Sequence, residues 1–358
     1  MSVTLYVGTR RGLFLATSED RRSWRMEGPY LAGREVFYAF RDARTGSVWA
    51  ATSHKVWGAH VHRSDDGRDW EVLDAAPYHP DERGLDAIWF LAPGPPDEPD
   101  TLWAGIQPAG LFRTHDAGQS WEPSPLNEHP TRETWQAAGG GLALGGIQHD
   151  PSDPDRIYCS LSAGGVYRSE DGGASWTPVN EGVRCDFQPR RYPEAGQCVH
   201  KLRVHPARTD RLYQQNHCGV YRSDDRGEHW EEITGGLPSD FGYACAVDPA
   251  DPDVVYVIPE ESSHMRATVD GKLRVYRSED AGATWTALTN GLPQEHAYVS
   301  VLRDAMEHDD LAPHGLYFGT STGHLFGSAD RGESWHAIAG YLPKILCVTV
   351  SAEDAEGR

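Results

Sequence analysis

Ser169-Glu170-Asp171-Gly172-Gly173-Ala174-Ser175-Trp176 is the stretch on which the architecture turns. The pattern returns as Thr114 to Trp121, Ser223 to Trp230, Ser278 to Trp285 and Ser328 to Trp335. Versions one residue shorter run from Ser18 to Trp24 and from Ser64 to Trp70. The closing tryptophans fall 46 to 55 residues apart, a period that marks an array of like units. Each part of the pattern has a local purpose. The Asp accepts backbone N–H groups of its own turn. The Gly two residues later in the full copies permits positive φ. The Trp carries a large apolar area back into the core, with one N–H left to satisfy.

Upstream of each copy the same strands recur. Leu5-Tyr6-Val7, Val48-Trp49-Ala50, Leu102-Trp103-Ala104, Ile157-Tyr158-Cys159, Leu212-Tyr213-Gln214, Val255-Tyr256-Val257 and Leu316-Tyr317-Phe318 form one series. Gly12-Leu13-Phe14, Gly110-Leu111-Phe112, Gly165-Val166-Tyr167 and Gly219-Val220-Tyr221 form a second. Short β-branched and aromatic runs bounded by Gly, Pro and Asp are strand signals. Four strands in about 50 residues is the size of a propeller blade. The sequence therefore predicts an all-β, seven-bladed β-propeller built as one domain over 1–358. The expected blades are 345–351 plus 3–28, then 35–74, 85–123, 142–179, 197–233, 241–288 and 297–338. The stretch 345–350 lacks a following strand and the first unit lacks a preceding one, so pairing them closes the ring.

At these turns the chain resembles the Asp-box, or BNR-repeat, propellers over nearly its whole length. More narrowly it resembles bacterial proteins often labelled exo-alpha-sialidase-like or glycosyl hydrolase BNR repeat. The matching stretches are Gly8 to Phe14, Gln197-Cys198-Val199-His200-Lys201-Leu202 and Leu212 to Tyr221. The resemblance implies that the boxes and the loops between first and second strands share one face. Loops from second to third strands, with the blade-to-blade connections, would then build the active face. True sialidases resemble six-bladed rings with a Phe/Tyr-Arg-Ile-Pro motif; here Phe40-Arg41 is followed by Asp42-Ala43, which argues against that activity. Xyloglucanases, which are enzymes, and photosystem II assembly factors, which are scaffolds, share this repeat organisation. Related genes lie beside small ubiquitin-like sulfur carriers, so the resemblance also implies a small sulfur-carrier-like protein as a partner.

Composition narrows the function classes. With 33 Lys and Arg against 53 Asp and Glu the formal charge is −20, which argues against nucleic acid and anionic membranes as partners. Half of that excess lies in the seven repeated turns, so it does not argue against a small anionic ligand. No apolar run approaches the roughly 18 residues of a spanning helix. Six Cys are too sparse for a disulfide framework. The N-terminus enters a strand without a basic leader or apolar core segment. A cytoplasmic protein with free thiols is the expectation.

Candidate chemistry concentrates on the expected active face. His200 follows Cys198 by two residues on an inner strand, so both point the same way. His217 ends the next strand, and His54 and His60 bracket the upper loop of the second blade. Together these five could hold zinc or a similar divalent ion, since imidazole and thiolate suit such metals. Glu35 and Glu133 are candidate acid and base residues, working with His200 and His217. Trp57 and Trp135 are candidate platforms for a sugar ring, and Arg10, Arg11, Arg34 and Arg191 candidate clamps for an anion. The sequence thus points to a glycosidase-like hydrolase or lyase, metal-assisted, acting at the top of the channel on a small anionic or sugar-like molecule. The competing reading is a non-catalytic module that binds a protein or peptide.

Overall fold

The computed structural model describes residues 2–137 and 139–353. It is all-β. Seven four-stranded sheets form the blades of a β-propeller, and among the described residues the helical pieces are three short 3-10 segments. Within each sheet the described pairings are antiparallel. Strand order follows chain order in six sheets, as short connections favour. The exception is the sheet built from Ile345–Glu353, Ser2–Thr9, Gly12–Ser18 and Arg25–Tyr30. There the last strand pairs with the first, in a register running from Ser2↔Glu353 to Gly8↔Cys347. No helix among the described residues is long and apolar enough to cross a membrane.

The repeated turns are small hydrogen-bonded knots. Ser169 Oγ donates to Asp171 Oδ1 (2.8 Å) and accepts from the Gly173 N–H (2.8 Å). The same Oδ1 also accepts the Ser175 N–H (2.8 Å), and Oδ2 accepts the Ser175 hydroxyl (2.6 Å). The same set holds Asp116, Asp280 and Asp330. At Asp225 the ring of His229 takes the place of the second hydroxyl (2.8 Å). Accepting these donors, led by the Ser175 hydroxyl, keeps the Asp171 carboxyl below its ordinary value. Gly173 sits at φ +91°, and a Cβ there would lie 2.5 Å from the Trp103 ring. Glycine at this turn thus serves both the backbone conformation and the approach of the next sheet's aromatic.

The chain divides into two compact units, Met1–Arg41 with Ile233–Arg358, and Asp42–Glu232. In the first, Leu5, Val7, Tyr256, Val275, Tyr317, Phe318 and Ile345 share one apolar core. In the second, Tyr158, Val166, Val199, Leu212, Tyr221 and Trp230 pack together. All six cysteines are buried and free.

One backbone bond recurs in four sheets. The residue leaving the second strand donates its N–H to the carbonyl of the residue entering the first. The pairs are Arg10 to Lys344 (3.0 Å), Ser162 to Ala143 (2.9 Å), His217 to Cys198 (2.9 Å) and Glu260 to Phe241 (2.8 Å). Antiparallel order puts this bond at the end of each sheet opposite the repeated turn.

Candidate active site

The recurring bond sets two residues next to each other at one end of a sheet, and in three of the four sheets it involves ionisable side chains: Arg10 and Lys344, Cys198 and His217, and Glu260. In the second unit the sheet starts with Val199–Val204, paired to Leu212–Asn216. The register runs Val199↔Asn216 and then Lys201↔Gln215, so His200 is the extra residue of a β-bulge. Bulges re-aim side chains. Here Cys198, His200 and His217 converge, with one potential ligand atom from each within 4.8 Å of the others. Cys198 and His200 are buried and His217 is half-buried. The His200 and His217 rings meet edge to face at 5.6 Å, and Phe187 stands edge-on to His217 at 5.3 Å. Behind the thiol, Ser162 Oγ lies 3.6 Å from Cys198 Sγ. In front is a cavity of about 230 Å³ lined by Gln136, Ala163, Phe187, Cys198 and His217 among others.

The first unit holds a carboxyl-rich counterpart. Glu260 follows the strand Val255–Pro259 and has no exposed surface. The Ser300 hydroxyl donates to its Oε1 (2.5 Å), while its Oε2 has no partner in the protein. Burial pushes the carboxyl up to about 7, against the pull of Ser300, the Val301 N–H, Arg266 and Lys344. Lys344 is in turn pushed down by burial first and by the charge of Arg10 next, with Glu260 and Glu35 opposing. Arg10 Nε stands 3.8 Å from Glu35 Oε1. Glu260, Glu35, Lys344, Arg10 and Arg266 therefore form one electrostatic group. Sequence reasoning found Glu35 and Arg10 and missed Glu260, Lys344 and Ser300.

The other expected site residues lie elsewhere. His54 and His60 do not join the Cys198 cluster: His54 Nδ1 accepts the N–H groups of Val56 (3.0 Å) and Trp57 (3.3 Å), capping its own loop. His60 lies on the strand Gly58–Ser64 with its ring 6.3 Å from that of His62. The two strands pair with each other in unbroken register from Val48↔Ser64 to His54↔Gly58. Glu133 is exposed on the 3-10 turn Pro130–Thr134 and belongs to neither group. Trp135 is not a platform. It is buried, donates to the Tyr167 hydroxyl (2.8 Å) and is covered by Arg132 at 4.9 Å. Trp57 is exposed and leans on His54, 6.3 Å away. Arg191 is a surface group paired with Asp186 (3.4 Å) and lying over Tyr192. Arg11 donates to the Arg10 carbonyl (3.2 Å), and Arg34 keeps one buried guanidinium nitrogen without a partner.

No family model matches the chain. A xyloglucanase of Paenibacillus sp is 26% identical over 259 residues, which cover 62% of this chain and 24% of that protein. Among solved structures, an ancestral GH74 enzyme superposes with a TM-score of 0.59 at 15% identity, over 84% of this chain and 38% of that one. YCF48 bound to D1 peptide superposes with a TM-score of 0.52 at 16% identity, over 84% and 80%. The chain spans about a quarter of the length of the curated relatives it matches, and it is a seven-bladed propeller with xyloglucanase-like relatives.

Proposed function

We propose that this propeller is a glycosidase-like hydrolase of a small, anionic, sugar-like substrate, and that it belongs to the Asp-box group of propellers. The observation that carries the reading is Glu260. Its carboxyl holds a proton near neutrality while one of its oxygens has no partner in the protein. A neutral carboxyl beside an ionised one is the pairing glycoside cleavage needs, one to protonate the leaving oxygen and one to act as base or nucleophile. Glu260 is the acid, oriented by Ser300, and Glu35, which stands 3.8 Å from Arg10, is the second carboxyl. Arg10, Arg266 and Lys344 would hold the anionic group of the substrate. The xyloglucanase relatives support the reaction class.

Phenyl and dinitrophenyl glycosides of neutral sugars and of uronic acids provide the test. Turnover of a phenyl uronide is expected, falling away above about pH 7 as Glu260 ionises. Glu260→Gln should lower it by about 10²–10⁴-fold. The dinitrophenyl glycoside, whose leaving group needs no proton, should be spared. Full turnover of the phenyl glycoside by Glu260→Gln would remove the acid. No turnover of any glycoside would favour a binding module instead.

A further inference from the structure

We infer that Cys198, His200 and His217 bind a zinc-class divalent ion whose fourth position opens onto the cavity beside Phe187. The inference is independent of the carboxyl group of the first unit. A thiolate and two imidazoles are the ligand types zinc takes, and three protein ligands leave one position for water or a small anion. Bond lengths of about 2.0–2.3 Å require donor atoms roughly 3.3–3.8 Å apart around a tetrahedral ion. The three donors here lie within 4.8 Å of one another, so each must move by about an ångström or less, within reach of small side-chain rotations. The backbone is already fixed for this. The His217 N–H to Cys198 carbonyl bond ties two of the ligands together, and the bulge at His200 brings in the third.

The surroundings match a ligand set rather than a packing cluster. Ser162 Oγ, 3.6 Å from the Cys198 sulfur, can donate to a thiolate, the kind of outer contact that steadies metal ligands. Phe187 limits the tilt of the His217 ring. The cavity of about 230 Å³ reaches both Cys198 and His217, so the open position faces space for several waters at about 30 Å³ each.

Protein stripped with a chelator should take up a single equivalent of Co²⁺, the probe ion. Thiolate-to-cobalt charge transfer in the near ultraviolet and tetrahedral bands in the visible should appear, and Zn²⁺ should displace them. Zn²⁺ should also raise the melting temperature of the stripped protein, because it binds the folded state. Cys198→Ser, His200→Ala and His217→Ala should each weaken binding by at least about 100-fold, beyond the loss usual for an outer-shell change. Cys185→Ser, altering a nearby buried thiol outside the trio, should bind as wild type. Because His217 is half-buried, His217→Ala keeps the test usable if either buried variant misfolds. Unchanged cobalt spectra in the folded His217→Ala variant would overturn the assignment. So would folded wild-type protein that takes up neither Co²⁺ nor Zn²⁺, or that takes up copper alone.

Discussion

Glu260 is ionisable and wholly buried, and the two facts have a measurable sign. Its folded value of about 7 lies above its ordinary 4.5, so the native state favours the protonated form. The contribution is fully present below pH 4.5 and is lost as pH rises through about 7. Glu260→Gln should therefore match wild type near pH 4 and exceed it near pH 8 by about 3 kcal/mol, read from urea unfolding at each pH. Equal pH dependence of the two proteins would show that the carboxyl is not held neutral. Nothing in Pro259-Glu260-Glu261 distinguishes the buried acid from its exposed neighbour, because the groups that set its environment, Ser300 and Lys344, lie far along the chain. A positional signal does exist. Aligning the repeats on the second strand places Arg10, Ser162, His217 and Glu260 at one equivalent position, and all four are polar.

At the level of elements, neighbouring sheets within a unit approach through glycine. Gly105, on Leu102–Gln107, has the Leu144 carbonyl oxygen 2.4 Å from where a Cβ would stand. A backbone atom cannot swing aside as a side chain would, so Gly105→Ala should cost about 1–3 kcal/mol, measured by denaturant unfolding. An unchanged midpoint would mean the two strands can separate freely. Strands and turns were readable because their determinants are local: hydroxyl, Asp, Gly and Trp all lie within eight residues. Trp135 was misjudged for the opposite reason. Its loop position suggested exposure, but Tyr167 and Arg132 enclose it. His54 and His60 failed likewise, since only the register shows that the bulge belongs to His200.

Across the whole chain, the repeated turns and the clustered titratable groups fall at opposite ends of their sheets. Within its own sheet each of Cys198, His217 and Glu260 stands at the end opposite the repeated turn. The fold class was legible because seven copies of one unit constrain each other; the site was half legible because it departs from that repetition. Truncation after Lys344 removes Ile345–Glu353 and leaves the strand Ser2–Thr9 with an unpaired, buried-type edge. The truncated chain should aggregate or elute as oligomers in size-exclusion chromatography. A monomeric truncation with unchanged melting would show that this strand is dispensable.

That pairing also sets a timetable for synthesis. The strand Ser2–Thr9 is synthesised well before its partner Ile345–Glu353, which follows it by more than three hundred residues. At about 5–20 residues per second the early strand waits roughly 20–70 s before its sheet can be completed. During that interval the nascent chain carries an open β-edge, and a chaperone that shields strand edges would have most to do there.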